Sequence, residues 1–486
     1  MGRRLETEHV RPAPNMNSIS SDSSSTTERE VAVGFARALV VLKPRKATPF
    51  YARHPWVFDS AVDRIEGECA DGDVVDLVSE KRKFIARGII NRRSRLTVRL
   101  YTWKSSQGLD DDFWRQRIER AVMLRSQLGY DQPTAAARLV YSEADGLSGL
   151  VVDRYAGHLV VQVNSLAVAL RANRLVELLT DQLAPDSITV RCDAGIAKAE
   201  GIVLSGRASS AFGAEEISAA QQDAEEPDAE EPEPAPIQGG ENGGELGAGL
   251  GPCPLAPSPL VEGLRWGRQP SGLVFIEEHG LRYGVDLLAG QKTGFYLDQR
   301  ENRLATARYL GGRQVLDLFC YSGGFSLTAS RLGAAREVLG IDTSDRAVAL
   351  ARANAELNGV TNVRFEQGDG FQALDEFLSA GRRFEGVVLD PPKFTRSRQS
   401  VDDALRAYHR LNRVAVDLLE PGGILVTCSC SGSVSREDFL QMLAVVAQKC
   451  GRDIQVLEQR GASPDHPVSA TCPESEYLKC FICRVG

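Results

Sequence analysis

Val315-Leu316-Asp317-Leu318-Phe319-Cys320-Tyr321-Ser322-Gly323-Gly324-Phe325-Ser326 runs from an apolar stretch through a short polar turn into a double glycine. An apolar run of strand length fits a strand buried on both faces. The glycine pair opens a helix at a turn where a ligand can approach backbone N–H groups that a Cβ would block. The stretch is neither the Gly-x-Gly-x-x-Gly of dinucleotide binders nor a phosphate-cradling loop, since no Gly-Lys-Ser/Thr follows. Outward from it the pattern is regular. Strands are predicted over 314–319, 337–341, 363–367, 386–389, 423–428, 454–459 and 477–485, and helices over 325–332, 345–358, 371–378, 402–419 and 436–448. Strands alternating with helices specify an α/β fold with a doubly wound parallel sheet. The last two strands, with no helix between them, suggest an antiparallel pair.

Two further strand ends carry acids. Asp342 closes the second strand, where a carboxylate can accept hydrogen bonds from both hydroxyls of a ribose, and Asp369 closes the third, beside where an adenine would lie. Either acid alone also suits a helix cap. Together with the glycine turn, the set resembles class I methyltransferases that bind S-adenosylmethionine. That resemblance implies cofactor contacts from Asp317, Cys320, Ser322, Gly323, Gly324, Asp342 and Asp369.

The fourth strand ends in Val387-Val388-Leu389-Asp390-Pro391-Pro392-Lys393, a carboxylate followed by a rigid turn at the carboxyl edge of the sheet. One strand later comes Leu425-Val426-Thr427-Cys428-Ser429-Cys430-Ser431. A thiol at a strand end in the same crevice is a candidate nucleophile. No metal is expected there, because no nearby His or Cys cluster completes four ligands. Carbon 5 of cytosine becomes nucleophilic only after a nucleophile adds to carbon 6, whereas nitrogen and oxygen targets need no such step. A thiol (Cys430) with an acid that hydrogen-bonds N3 (Asp390) therefore points to carbon-5 chemistry on a pyrimidine. Cys428 is expected to be packing, because the later cysteine lies nearer the ligand-binding edge.

The chain has 486 residues, 43% apolar, more than one core usually organises, so two or three domains are expected. Ten dilute cysteines with no charged-then-apolar leader read as reduced thiols in the cytoplasm. No apolar run is long enough for a membrane span, and the opening Met-Gly-Arg-Arg-Leu-Glu lacks an acylation signal. The net charge of −8 is segregated: residues 215–245 hold 11 acidic and no basic side chains, while 41–104 hold 14 basic against 8 acidic. The basic segment suits a nucleic-acid partner. Residues 1–37, rich in Ser and Thr, read as a disordered tail; 38–105 as a β-barrel-like module; and 106–208 as an α+β domain. Residues 209–272, rich in Pro, Gly and Glu, read as a disordered insertion, and 273–486 as the doubly wound domain.

The whole is similar to the bacterial large-subunit ribosomal RNA (cytosine-C5) methyltransferase family, which joins an N-terminal PUA domain to a class I methyltransferase domain. The resemblance is carried by Arg53-His54-Pro55-Trp56-Val57-Phe58, by Leu139 to Leu150, by Gln291-Lys292-Thr293-Gly294-Phe295-Tyr296-Leu297-Asp298-Gln299-Arg300, and by the Asp390 and Cys430 motifs. It implies S-adenosylmethionine as cofactor, ribosomal RNA as partner, and cofactor contacts from Lys292, Tyr296 and Gln299. RNA contacts are expected from Arg53, His54, Trp56, Lys393 and the arginines Arg92, Arg93 and Arg95, with no membrane partner. A homodimer is compatible with the sequence. Related two-cysteine enzymes carry a second cysteine after the acid of the fourth strand. Lys393 stands there in this chain, so release of a covalent adduct needs another base. Lys393 and the cofactor sulfonium are the cations expected to activate Cys430. Two other readings stay open: methylation of a guanine nitrogen, which Cys430 argues against, and a non-catalytic RNA-binding or ribosome assembly factor, which the intact glycine turn and acids argue against.

Overall fold

The computed structural model describes residues 35–205, 259–287, 294–394 and 401–486. The expected site residue Lys292 and the acidic run 215–245 lie outside them.

Six strands, β1 (Ala38–Leu42), β2 (Trp56–Phe58), β3 (Val62–Glu66), β4 (Val74–Val78), β5 (Phe84–Ile90) and β6 (Leu96–Thr102), form one sheet in the order β2-β6-β5-β4-β1-β3. The sheet curls round a core that includes Val40, Leu77, Ile85 and Val98, all buried. β1 pairs with β4 in parallel and with β3 antiparallel. The tail reading to residue 37 overruns the module. The Arg87 guanidinium lies 4.7 Å from the Phe35 ring centroid, and Arg37 N–H donates to the Val74 carbonyl.

The second unit is a five-stranded sheet, order β13-β10-β9-β8-β7, of β7 (Ala136–Tyr141), β8 (Leu150–Tyr155), β9 (His158–Val163), β10 (Ser187–Arg191) and β13 (Gly263–Gly267). The helices Asp111–Gln127 and Ala172–Leu183 bring Phe113, Trp114, Leu175, Leu178 and Leu179 to its core. The expectation of an unstructured 209–272 is corrected at its C-terminal end. Two short strands, β11 (Leu204–Ser205) and β12 (Leu260–Val261), pair across it, and β13 joins the sheet from beyond it. The pairing supplies the reason: backbone of β13 satisfies the edge of β10, from Ser187 opposite Gly267 to Val190 opposite Gly263.

A hairpin, β14 (Val274–Glu278) with β15 (Leu281–Val285), leads into the last unit. Its sheet has the order β18-β17-β16-β19-β20-β22-β21, built from β16 (Gln314–Leu318), β17 (Glu337–Asp342), β18 (Val363–Gln367), β19 (Phe384–Leu389), β20 (Leu419–Ser429), β21 (Ile454–Arg460) and β22 (Lys479–Val485). Val315, Leu316 and Leu318 are fully buried, each stabilising the sheet by about 1.5–3 kcal/mol relative to exposure. Serine and aspartate caps start the crossover helices: Ser344 Oγ accepts from Ala347 N–H, and Ser435 forms a reciprocal capping box with Asp438. β16 and β19 are neighbours running in parallel, while the chain from β16 first goes to β17 on the other side. The crevice at their carboxyl ends is thus the topological switch point, where such sheets bind ligands.

Candidate active site

The loop leaving β16 is wound tightly. Phe319 (φ 63°), Tyr321 (φ 46°) and Gly323 (φ 84°) all sit in the left-handed region. For the two aromatics this costs of order 1–3 kcal/mol each, so neighbours must hold the conformation. Asp342 does so: Tyr321 N–H donates to its Oδ2 at 2.9 Å, while Ser344 N–H donates to its Oδ1 at 3.0 Å. Cys320 N–H donates to the Ile341 carbonyl and Gly323 N–H to that of Cys320. A carboxylate oxygen can accept more than one hydrogen bond, as a ribose acceptor requires.

The glycines have a different local reason from the one read in the sequence. A Cβ on Gly323 would meet Phe365 Cζ at 2.8 Å, and one on Gly324 would meet Arg303 Cδ at 3.0 Å. Protein side chains, not open space for a ligand, fill the room that Cβ atoms would take. Ser322 is buried, its carbonyl accepting from Asn354 Nδ2 at 3.1 Å. Burial also pushes the Cys320 thiol up.

Asp317 is wholly buried within β16. Ser326 Oγ donates to its Oδ2 at 2.6 Å, whereas Oδ1 is buried with no hydrogen-bond partner among the described residues. Burial, with Asp390 and Asp342 adding repulsion, pushes this carboxyl up to about 7. A buried acceptor without a partner, at the switch point, fits a cationic or N–H-bearing ligand such as S-adenosylmethionine. Asp369 is exposed, and its Oδ1 caps the helix Gly370–Ser379 by accepting from Phe371 and Gln372 N–H, both at 2.9 Å. It borders an open groove also lined by Phe371, Gln372 and Arg406.

Across the switch point, Asp390 follows β19. Gln299 Nε2 donates to Asp390 Oδ1 at 2.9 Å, and Gln299 Oε1 accepts from Asn302 Nδ2 at 2.6 Å. Gln299, expected from the family resemblance to touch the cofactor, is thus bonded to the acid. Tyr296 packs edge-on against Tyr321, ring centroids 5.2 Å apart. Burial raises its hydroxyl, and Asp390 and Cys430 both act on it. The two cysteines part company here. Cys428 is fully buried, opposite Cys480 of β22, its thiol held protonated by burial and by Cys480. Cys430 lies just past the end of β20, half-buried, with Sγ 4.0 Å from the Pro391 carbonyl oxygen. The thiol and the acid are thereby brought to one place from two strands.

Several expected RNA contacts sit elsewhere. Trp56 Nε1 donates to Glu143 Oε1 at 2.9 Å, tying β2 to the central unit. His54 Nδ1 accepts Trp56 N–H at 3.3 Å, which leaves Nε2 to carry the ring proton and donate to Glu474 at 3.3 Å. Cys472, pushed up to about 12 mainly by burial, donates to the same carboxylate at 3.6 Å. The potential metal-ligand atoms of His54, Cys472 and Glu474 lie within 4.8 Å of one another, but two of them point donors at the third and form a contact between units. His54 and Trp56 are both half-buried and make these contacts between units. Arg53, Arg92, Arg93, Arg95 and Lys393 are exposed. Arg92 and Arg93 share Asp71 at 3.0 and 3.6 Å, a solvent-exposed pairing weak enough for a phosphate to displace.

One residue of the site escaped the sequence reading. Lys479, on β22, is 2% exposed and donates to the carbonyls of Ser431 at 2.7 Å and Tyr477 at 2.9 Å. Its signal was a single lysine in the apolar run Leu478-Lys479-Cys480-Phe481-Ile482-Cys483. Lys393, the side chain expected to supply the charge beside Cys430, is exposed, whereas Lys479 is the buried amine there.

Comparison with known proteins adds three findings. Residues 40–103 match a PUA-like domain and 265–473 an S-adenosylmethionine-dependent methyltransferase. "Ribosomal RNA large subunit methyltransferase I" of Klebsiella pneumoniae strain 342 is 33% identical over 449 residues, covering 92% of this chain and 98% of that protein. Its namesake in Escherichia coli O139:H28 is 34% identical over 92% of this chain and 99% of that protein. Among solved structures, a SAM-dependent methyltransferase from Streptococcus mutans superposes with TM-score 0.69 at 17% identity over 92% of this chain and 99% of its own. Another methyltransferase, complexed with S-adenosylhomocysteine, gives TM-score 0.70 at 17% identity with the same coverage. Among the described residues no helix is long and apolar enough to cross a membrane.

Proposed function

Because the chain belongs to the ribosomal RNA large subunit methyltransferase I family, we propose that it uses S-adenosylmethionine to methylate carbon 5 of a cytosine in large-subunit ribosomal RNA. The observation that carries the carbon-5 assignment is the meeting of Cys430 with Asp390: Sγ lies 4.0 Å from the carbonyl of Pro391, the residue next to the acid. A thiol has no use in methylating nitrogen, and it is the group needed to make carbon 5 nucleophilic.

Bound S-adenosylmethionine supplies an electrophilic methyl group. Asp317, Asp342, Asp369 and the loop 319–323 would hold it at the carboxyl edge of the sheet. The Cys430 thiolate adds to carbon 6 of the cytosine, while the protonated carboxyl of Asp390, aimed by Gln299, donates a hydrogen bond to N3 and stabilises the charge that addition develops. Carbon 5 then has enamine character and takes the methyl. A solvent base takes the carbon-5 proton, the electron pair of that C–H bond re-forms the carbon 5–carbon 6 double bond, and the Cys430 thiolate is expelled, which restores the aromatic ring. The PUA-like module supplies affinity for the phosphate backbone through Arg92, Arg93 and Arg95. An RNA substrate of this kind places the protein in the cytoplasm.

RNA containing 5-fluorocytosine tests the reading, because fluorine blocks the final proton loss. Wild type and Cys428→Ala are expected to be trapped as covalent adducts, and Cys430→Ala to escape trapping while still binding the cofactor. Trapping through Cys428, or methylation by the double mutant, would overturn the mechanism.

A further inference from the structure

Ser429 is the last residue of β20 paired in the ladder, so Cys430 lies just beyond the support of the sheet. Its two neighbours, Ser429 and Ser431, are nevertheless fully buried, and Ser431 N–H donates to Ser429 Oγ at 3.4 Å across the thiol. Two side chains from other elements tie this turn down. Lys479 Nζ donates to the Ser431 carbonyl at 2.7 Å. Tyr408, wholly enclosed on the helix Val401–Leu418, places its hydroxyl 3.2 Å from Ser431 Oγ, and the Ser429 side chain hydrogen-bonds the same hydroxyl. The Tyr408 ring also packs on Phe394, with centroids 4.8 Å apart, and Phe394 ends the turn Asp390-Pro391-Pro392-Lys393-Phe394. One side chain therefore touches both the turn that carries the thiol and the turn that carries the acid.

We propose that Tyr408 is a positioning residue for methyl transfer: its hydroxyl pins the Ser429-Cys430-Ser431 turn and its ring seats the Asp390–Phe394 turn, which keeps thiol and acid in register with carbon 6 and N3 of one cytosine ring. Tyr408 acts through Cys430 and Asp390 and exchanges no proton with the base. The inference rests on the cytosine reading, which supplies the two atoms that must be met at once.

Packing alone does not call for the hydroxyl. Phe439 lies edge-on to the Tyr408 ring at 5.2 Å, and with Phe394 it makes an apolar seat that a phenylalanine would fill as well. A buried hydroxyl costs free energy unless it is hydrogen-bonded, and the partners it meets are the two serines that flank the thiol. Burial pushes this hydroxyl up to about 12, against the hydrogen bonds from Ser429 and Ser431, so it stays neutral near pH 7, with one proton to donate and lone pairs to accept. Placement of this kind matters for rate because reacting atoms must be held about 3–3.5 Å apart, and an error of about 1 Å can cost roughly 100-fold.

The test is a double-mutant cycle in the full-length protein, with S-adenosylmethionine and unmodified large-subunit ribosomal RNA transcribed in vitro. Tyr408→Phe deletes the hydroxyl and keeps the ring. Its kcat is expected to fall about 10- to 100-fold, while the cofactor dissociation constant and the KM for RNA stay within about twofold of wild type. Ser431→Ala should show a similar loss, and the double variant should fall little further than either, because both changes remove the same contact. A Tyr408→Phe enzyme with wild-type kcat, losses that multiply in the double variant, or an equal loss of cofactor affinity would each overturn the proposal. Transcripts carrying 5-fluorocytosine separate it from the reading on which it rests. Absence of a wild-type adduct would sink the cytosine mechanism and this role with it, whereas a wild-type adduct formed no faster than that of Tyr408→Phe would sink the positioning role alone.

Discussion

Replacing Asp342 by alanine tests the cofactor site where one side chain serves both loop and ligand. Its carboxylate accepts Tyr321 N–H at 2.9 Å and Ser344 N–H at 3.0 Å, and so holds a loop in which two aromatic residues have left-handed backbones. A hydrogen bond to a charged acceptor contributes about 1.5–3 kcal/mol. Loss of the ribose contact alone should therefore weaken S-adenosylmethionine binding by roughly 10- to 150-fold. The two backbone donors lose their acceptor as well, but Tyr321 is only half-buried and water can replace part of the loss. The folded state should therefore lose about 1–3 kcal/mol, less than twice the single-bond figure. Asp342→Asn keeps one carbonyl oxygen for one backbone donor and should fall between the two proteins in both measures. Calorimetric titration with the cofactor gives the affinity, and thermal unfolding with and without it gives the stability. An Asp342→Ala protein with lowered melting temperature but unchanged affinity would refute the ribose assignment and leave Asp342 as a loop tie.

Three further outcomes follow from other parts of the site. The folded Asp317 carboxyl, pushed up to about 7, lies above its unfolded value near about 4, so its contribution is present in acid and lost as pH rises through that window. Asp317→Asn should flatten the fall in stability of the cofactor-free protein between about pH 4 and 7, as followed by denaturant unfolding, and an unchanged profile would contradict the shift. Gln299→Ala removes the 2.9 Å hydrogen bond to Asp390 and should lower kcat roughly 10- to 150-fold with little change in cofactor affinity. An equal loss of cofactor binding would return Gln299 to the cofactor-contact role. Replacing Arg92, Arg93 and Arg95 together with alanine should flatten the salt dependence of RNA binding by up to about one unit per lost phosphate contact. Identical slopes would mean that none of the three meets a phosphate and that Arg92 and Arg93 serve only the surface pairing with Asp71.

Much of the catalytic unit was written locally. β18 is the predicted strand residue for residue, with Val363 and Phe365 alternating with polar residues as an edge strand does, and the helices Asp345–Leu357 and Arg436–Cys450 start where predicted, because side-chain caps mark helix starts. Strands whose signal is diluted were missed: β1, β2 and β3 among charged turns, β7, and the hairpin β14–β15. Periodicity also foretold the antiparallel contact of β21 with β22, but not that β22 would slot between β20 and β21 and run antiparallel to both. Strand order is a property of long-range pairing and leaves no trace in local composition.

The same division runs through the site. Cys430 and Asp390 could be singled out from the sequence because each ends an apolar strand and because the chemistry needs a thiol with an acid. Gly323 and Gly324 were legible as a turn, yet what occupies their missing Cβ positions, Phe365 and Arg303, comes from residues far away in the chain. His54 and Trp56 stood in a basic segment and read as RNA-facing, whereas packing between units turned them toward Glu474 and Glu143. Lys479 shows the limit most plainly. In sequence it is one lysine in an apolar strand, and only the pairing of β22 with β20 buries its amine beside the thiol loop, where desolvation depresses its charge. Residue type and strand-end position were determined by the sequence itself. Which charges lose their water, and which groups they then face, was decided by the tertiary structure, because desolvation depends on every element packed around a side chain.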